Sequence, residues 1–170
     1  MTEQTGVRRR STAAGPVRSS TRSAPTGGDD RGLTFVDTDV LVYAHDLDAE
    51  LKRAIAEHVL RQLWEDETGV LSTQVLQEFS NVATRKLQLS PETARRIVAE
   101  YAEWPVVETT AQLIVSASVL HERHRFSFWD AMVVEAALLS GATTLLSEDL
   151  QDGRRIGDLT IRNPFRTDQK

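Results

Sequence analysis

Two acidic residues in the sequence end apolar runs. Asp37 directly follows the run 33–36, and Asp149 closes the stretch "TLLSED". Short apolar runs of this kind are typical of buried strands. In open parallel sheets, the carboxyl ends of the strands form the crevice in which ligands bind. We therefore expect both carboxylates to open onto the same edge of a sheet.

Two further acidic residues lie on the inward faces of helices. Glu78 stands three residues after Val75 and four before Val82, within an apolar stripe of helical spacing. Asp130 repeats this placement on a later helix. The apolar residues three, four, seven and eight positions after it, which are Val133, Val134, Ala137 and Leu138, put it on the apolar face of that helix. Two acids on inward helix faces and two at strand ends can converge on one point.

Each acid also has an ordinary structural alternative. Asp37 could N-cap a following helix. Asp130 could be the third residue of a capping box in which Ser127 is the N-cap. Glu78 could pair with a nearby base, and Asp149 could be a turn residue. Together these alternatives do not explain why the acids select one crevice and the inward helix faces.

Converging carboxylates need a cation or a proton to be stable together. Two of them about 5 Å apart repel by roughly 3 kcal/mol at an effective dielectric constant near 20. The chain has no cysteine, so oxygen ligands and therefore Mg²⁺, with Mn²⁺ as the other possibility, are favoured over zinc. Such a site activates water and stabilises phosphoryl charge, which indicates phosphodiester hydrolysis.

Length and charge fit one globular domain. The 170 residues carry a net charge of -5. Residues 1–32 contain six Arg and three acidic residues (+3), whereas residues 33–170 contain 14 Lys or Arg and 22 acidic residues (-8). The acidic body argues against broad electrostatic capture of nucleic acid. No apolar run is long enough to span a membrane, and a cytoplasmic location is expected.

Residues 1–32 are expected to be a disordered basic tail, because they hold too few apolar side chains to offset the entropy of ordering. A twin-Arg export signal would need an apolar region after "RRRS", and none follows. A mitochondrial-type presequence fits the composition only loosely, and a start codon annotated too far upstream is an alternative. The folded domain is expected over residues 33–170.

The body alternates short apolar runs with helical periods, which favours a mostly parallel sheet of about five strands covered on both faces. Strands are predicted at 33–37, 69–72, 105–110, 142–149 and 159–165. Helices are predicted at 49–66, 73–87, 92–104, 111–124 and 128–140. Ser90 and Pro91 suit the start of a helix, and Gly141 suits the end of one.

Four segments in this order resemble a PIN domain, in particular the single-domain VapC-type toxins. They are "FVDTDVLVYA", "STQVLQEF", "FSFWDAMVVEAALLSGATTLLSEDLQDG" and "IRNPF", and the resemblance covers about residues 33–165. It implies a three-layer α/β/α sandwich and metal-dependent cleavage of single-stranded or looped RNA. It also implies the toxin role in a type II toxin–antitoxin pair, with a small antitoxin as partner, and a homodimer is expected.

The resemblance also implies roles for individual residues. Asp37, Glu78, Asp130 and Asp149 would form the acidic catalytic and metal site. Asp37 and Asp130 would be the principal Mg²⁺ ligands, and Glu78 and Asp149 would complete the cluster directly or through water. Ser147 matches a small hydroxyl residue at the rim of the site.

Asp39 departs from the family pattern, which usually has Asn at this position. The extra negative charge could tighten metal binding or change the preferred metal. A helix-capping role through the side-chain oxygen is the interpretation we favour for Asp39.

Four arginines are candidate contacts to the RNA substrate. Arg123 and Arg125 lie in "HERHRF" just before the Asp130 helix, where a solvated helix end is the favoured alternative. Arg154 and Arg155 follow Asp149 in "DGRR" and would steer phosphate groups, with an ordinary loop role equally supported.

Two other functions compete with the nuclease. In a haloacid-dehalogenase-type phosphatase, Asp37 would be the nucleophile and Asp39 the acid–base partner. That family also needs a lysine between its first and last motifs to hold the phosphate. The lysines here are Lys52, Lys86 and Lys170, and none lies near the final two acidic motifs. A PIN fold that only binds RNA or protein is the second competitor, although a pure scaffold gains nothing from a repulsive acidic cluster.

Overall fold

In the computed structural model, which describes residues 32–166, the strands form one six-stranded sheet. Their bounds are β1 (Thr34–Val36), β2 (Gly69–Ser72), β3 (Val106–Val107), β4 (Thr144–Leu146), β5 (Arg155–Ile156) and β6 (Leu159–Arg162). The order is β3-β2-β1-β4-β6-β5, and only β5 and β6 pair antiparallel. The predicted mostly parallel sheet is confirmed. The strand beyond the expected five is β5, whose two residues are too few to show a periodic pattern.

Helices connect most of the strands in this part of the chain. They are α1 (Thr38–Ala44), α2 (Glu50–Glu65), α3 (Thr73–Arg85), α4 (Pro91–Tyr101), α5 (Ala111–His124) and α6 (Phe128–Leu139). Helix α1 packs against α2 and α3, α3 packs against α4, and α5 packs against α6. The expected α/β/α sandwich is confirmed. Helix α1 is the one for which the sequence pattern gave no bounds.

Side-chain caps set where several helices begin. Ser90 caps α4 by accepting a hydrogen bond from the Thr93 N–H at 3.1 Å, and Pro91 occupies the first turn, both as predicted. Ser127 caps α6 in the same way. After α6 the chain turns through Gly141 at φ +74°, a left-handed conformation that glycine adopts without steric cost.

The described residues 32–166 all belong to one compact unit. The predicted disorder of residues 1–32 lies outside the described residues except for Gly32, so it stays a prediction, as does the exact domain boundary. No helix between residues 32 and 166 is long and apolar enough to cross a membrane.

Strand β1 forms the centre of the sheet and the core. Phe35 and Val36 are completely buried, and β1 pairs with β2 on one side and β4 on the other. Both pairings are parallel, so the carboxyl ends of β1 and β4 lie side by side. The Asp37 N–H donates a hydrogen bond to the Leu146 carbonyl at 2.9 Å, which joins the two strand ends. The two strand ends that were predicted to share one edge of the sheet are therefore adjacent.

Gly69, the first residue of β2, lies directly beneath the buried ring of Trp104. A Cβ added at Gly69 would be 1.9 Å from Trp104 Cζ3, far inside van der Waals contact. The indole is 7% exposed and packs at 6.0 Å from the ring of Trp64. The absence of a side chain at this position is therefore a packing requirement.

Gly69→Ala is expected to destabilise the protein by about 2–3 kcal/mol, because the added methyl group overpacks the core. Urea denaturation followed by tryptophan fluorescence or circular dichroism measures the change. The loss should shrink when Gly69→Ala is made in a Trp104→Leu background, since the clashing ring atoms are then absent. An equal loss in both backgrounds would contradict this account.

Candidate functional site

Asp37 stands at the junction of β1 and α1, beside the end of β4. It is the N-cap of α1, and its Oδ1 accepts a hydrogen bond from the Thr38 N–H at 2.7 Å. The pKa of Asp37 is raised to about 7, first by burial and then by the charge of Asp39, while hydrogen bonds from Ser147 and Thr38 oppose the rise. The capping alternative is thus real, yet a cap that resists ionisation is poorly suited to stabilising a helix by charge.

Asp39 joins the first turn of α1 to the loop after β4. Its Oδ2 accepts a hydrogen bond from the Glu148 N–H at 2.6 Å, across 109 positions of sequence. Its Oδ1 is buried and has no hydrogen-bond partner among the described residues. The pKa of Asp39 is raised to about 6, mainly by burial and also by the charge of Asp149, while the hydrogen bond from the Glu148 N–H opposes the rise. The cap of α1 is Asp37, so Asp39 holds the loop instead of the helix terminus.

The loop after β4 brings two of the predicted residues to this junction. Ser147 is completely buried and hydrogen-bonds to Asp37, which matches the hydroxyl expected at the rim. Asp149 is exposed, and its charge acts on Asp39. Asp149 therefore opens onto the same edge as Asp37, as the sequence predicted from the two strand ends.

Lys52 of α2 anchors the same loop. Its Nζ donates to Glu148 Oε2 at 2.7 Å and to the Tyr43 hydroxyl at 3.0 Å. The ammonium group also lies 4.2 Å from the centre of the Tyr43 ring. Because Glu148 supplies the N–H that Asp39 accepts, the Lys52 anchor restrains the backbone that holds the acidic pair. No sequence pattern indicates the contact between Lys52 and Glu148, because the two residues are 96 positions apart.

Glu78, on helix α3, contacts the start of helix α1 next to Asp37. The carboxylate is half-buried, and its charge contributes to the raised pKa of Asp37. Oε2 accepts a hydrogen bond from Thr38 Oγ1 at 2.9 Å, and Oε1 accepts one from Gln74 Nε2 at 2.9 Å. Among the described residues, the hydrogen-bond partners of Glu78 are therefore neutral. The side chain forms these bonds instead of the ion pair with a base that was its structural alternative.

Asp130 lies in the first turn of α6 and is half-buried. Its N–H donates to Ser127 Oγ at 3.1 Å, which is the N-cap contact of the capping alternative. The connection from α6 to the other acids runs through Gln74, whose Nε2 lies 3.4 Å from the Trp129 carbonyl oxygen. This contact joins α6 to α3 next to Asp130 in the chain, and a place for the Asp130 carboxylate in the acidic site stays a prediction.

Of the predicted cluster of four carboxylates, the structure shows charge interactions between pairs of acidic residues. Asp37 interacts with Asp39 and Glu78, and Asp39 interacts with Asp149. Across residues 32–166, no three His, Asp or Glu side chains stand close enough together to hold a metal ion as they are placed. The complete four-residue site, with Asp130, stays a prediction.

The chemistry of this junction fits a hard divalent cation. All of the side-chain ligands it offers are oxygen atoms, which Mg²⁺ and Mn²⁺ prefer. Desolvation and neighbouring carboxylates raise the pKa of both Asp37 and Asp39, and one buried oxygen, Asp39 Oδ1, lacks a donor among the described residues. A buried acceptor without a partner is costly. A cation would offset the repulsion between the carboxylates and would give the unpaired Asp39 oxygen a partner.

The four candidate arginines differ in what they contact. Arg154 Nη2 donates to the His124 carbonyl at 2.8 Å, and its guanidinium lies 4.1 Å from the centre of the Phe126 ring. Arg154 therefore ties its loop to the turn between α5 and α6. Arg123, Arg125 and Arg155 are exposed. A role for any of the four in RNA binding stays a prediction.

Comparison with known proteins identifies the fold. A family model described as PIN domain matches residues 34–157. No curated protein matches the sequence at a significant level.

Solved structures of bacterial toxins share the architecture at low sequence identity. The VapC20 toxin of Mycobacterium tuberculosis, described as cleaving the sarcin–ricin loop, is 21% identical with a TM-score of 0.52, over 66% of this chain and 86% of that chain. A toxin–antitoxin complex from Klebsiella pneumoniae is 16% identical with a TM-score of 0.57, over 77% and 97%. VapBC2 of Rickettsia felis, bound to a fragment of promoter DNA, is 19% identical with a TM-score of 0.56, over 77% and 98%. At these identities the likeness concerns the fold.

In the absence of divalent cations, Asp37→Asn is expected to stabilise the protein at pH 8 by roughly 2–4 kcal/mol. The folded-state pKa of Asp37 is raised from 3.8 to about 7, so the native protein binds this proton more tightly than the unfolded chain. Stability is therefore lost as the pH rises from about 4 to about 7, and the amide removes that loss. Urea denaturation at pH 4 and pH 8 in EDTA measures it.

Asp158→Asn, which changes an exposed carboxylate, serves as the matched control and should alter stability little at either pH. Equal effects of Asp37→Asn at the two pH values would show that the Asp37 charge is not a source of strain.

Proposed function

Because the chain belongs to the PIN domain family, we propose that it is a metal-dependent endoribonuclease. The observation that carries the proposal is the half-buried pair Asp37 and Asp39 at the carboxyl end of the central strand, with the pKa of each raised by desolvation and by neighbouring acids. Such a pair is unfavourable for the fold alone and favourable for binding a divalent cation. The surrounding acids Glu78 and Asp149 add to the same negative potential.

Asp37 and Asp130 are the proposed principal ligands of Mg²⁺ or Mn²⁺, with Glu78 and Asp149 completing the site directly or through water. The bound ion would lower the pKa of water for attack on a phosphodiester and stabilise the charge that develops on phosphorus. The protein's own contribution is orientation. Ser147 hydrogen-bonds to Asp37, and the Glu148 N–H fixes Asp39, so the carboxylates are held in place before substrate arrives.

The proposed substrate is single-stranded or looped RNA. The acidic body makes general electrostatic attraction weak, so contacts to the phosphates must be local. The exposed Arg123, Arg125 and Arg155 are the candidates for those contacts. Cations that touch successive phosphates position the strand but do not by themselves read its sequence.

We further propose that the protein is the toxin of a type II toxin–antitoxin pair and works as a homodimer in the cytoplasm. The fold is shared with toxins that have been solved as toxin–antitoxin complexes. An antitoxin would be the product of a small gene beside this one, and its binding would block the site. Release of inhibition by removal of that partner is the functional signature of such a pair.

The purified protein is expected to cleave single-stranded RNA with Mg²⁺, and to lose cleavage in EDTA. Asp37→Asn and Asp130→Asn should each reduce the rate at least about 100-fold, because each removes a ligand charge from the metal site. Gel analysis of end-labelled RNA measures the rate, and Asp158→Asn is the control with unchanged cleavage. Unaltered cleavage by Asp130→Asn would remove that residue from the site. RNA binding without cleavage by the wild type would favour the binding-module alternative.

Arg154 and Arg155 should respond differently to substitution by alanine. Arg155→Ala is expected to weaken RNA binding and to reduce its salt dependence, with little change in thermal stability, because the side chain is exposed. Arg154→Ala is expected to lower stability by about 1–2 kcal/mol, since it removes the bond to His124 and the contact with Phe126. Fluorescence anisotropy at two salt concentrations and urea denaturation separate the two effects. Equal RNA affinity of wild type and Arg155→Ala would exclude Arg155 as a phosphate contact.

A further inference from the structure

Gln74 is a buried polar residue of α3 whose amide faces the acidic site. Its side chain is part of the interior, with the residue only 5% exposed. Nε2 donates to Glu78 Oε1 at 2.9 Å and lies 3.4 Å from the Trp129 carbonyl oxygen. The contact to Glu78 is the stronger of the two, because hydrogen bonds weaken towards 3.5 Å.

Thr38 holds the other oxygen of the same carboxylate. Its hydroxyl donates to Glu78 Oε2 at 2.9 Å, and the residue is 9% exposed. Thr38 opens α1 and stands between Asp37 and Asp39 in the chain. The two oxygens of Glu78 are thus fixed by donors from two different helices, α1 and α3.

This pair of donors has a chemical consequence. A glutamate side chain loses rotamer entropy when it is ordered, so an unrestrained Glu78 would have to be ordered each time a cation binds. Donors that fix the side chain beforehand remove that cost. Because both donors are neutral, they orient the carboxylate without cancelling the negative charge that a cation needs, as a lysine or arginine would.

We propose that Gln74 and Thr38 are positioning residues that hold the Glu78 carboxylate in the orientation used by the metal site. The inference rests on the proposed function, since it assigns Glu78 to a cation. Gln74 has the additional role of tying α3 to the turn of α6 that carries Asp130, through the Trp129 carbonyl. The one amide therefore connects the two inward-facing acids that the sequence placed on separate helices.

A purely structural role for Gln74 makes a different prediction. If its amide served only to join α3 to α6, its removal would change stability and leave cation affinity as it is. If it positions Glu78, its removal changes cation affinity, and the change requires Glu78. Affinity measured without RNA separates these roles from any effect on substrate binding.

The experiment measures Mg²⁺ and Mn²⁺ affinity by isothermal titration calorimetry in four variants, with urea stability measured beside it. Gln74→Met and Thr38→Val keep the side-chain volume but lose the donor, and each is expected to weaken binding roughly 10-fold. Thr38→Ser restores the hydroxyl and should bind within about twofold of the wild type. Gln77→Met is the matched control on the same helix and should bind like the wild type, because Gln77 is exposed.

A double-mutant cycle tests the route through Glu78. In a Glu78→Gln background, Gln74→Met and Thr38→Val should cause no further loss of affinity. The proposal is overturned if folded Gln74→Met and Thr38→Val bind the ions like the wild type, or if they lose affinity equally in both backgrounds. If Gln74→Met does not fold, the comparison of Thr38→Val with Thr38→Ser decides. A wild type that neither binds a divalent cation nor cleaves RNA would instead overturn the proposed function.

Discussion

The site depends on holding two half-buried carboxylates, separated by one residue, together at the end of the central strand. Asp37 and Asp39 are placed there by the abrupt change from β1 to α1, which leaves only Asp37 between strand and helix. The arrangement persists because backbone N–H groups and the Ser147 hydroxyl support the charges. The sheet supplies the rigidity, since β1 is bonded on both sides. A functional site of this kind stores unfavourable electrostatics that the remaining fold must outweigh.

Much of the fold was predictable because apolar periodicity and caps are local properties of the sequence. The predicted start at Ser90 and the end at Gly141 are confirmed by hydrogen bonding and by backbone conformation. The sequence pattern sets no bounds for helix α1, because its seven residues are too few to show a clear helical period. Strand β3 is shorter than the predicted 105–110, since only Val106 and Val107 find partners in β2.

The site was predictable only as far as strand ends and helix faces determine it. Those rules put Asp37 and Asp149 at one edge of the sheet and turn Glu78 inward. In the structure the charge of Glu78 acts on Asp37, and the charge of Asp149 acts on Asp39. The neutral partners of Glu78 were missed. Gln74 did carry a signal, because a glutamine four residues before an inward-facing glutamate can contact it along one helix face. The hydrogen bond from the Glu148 N–H to Asp39 has no such signal in the sequence, because it joins residues 109 positions apart.

Strand β6 has a consequence for any shortened form of the protein. The family match ends at residue 157, yet β6 follows it, pairs with β4 and buries Leu159 and Ile161 completely. A chain cut at that boundary would leave β4, the neighbour of the central strand, as an unprotected sheet edge open to self-association. Phe165, whose ring lies 5.0 Å from that of Tyr43, would be lost as well. Expression fragments of a PIN domain such as this one should therefore end after the last strand that completes the sheet, beyond the end of the family match.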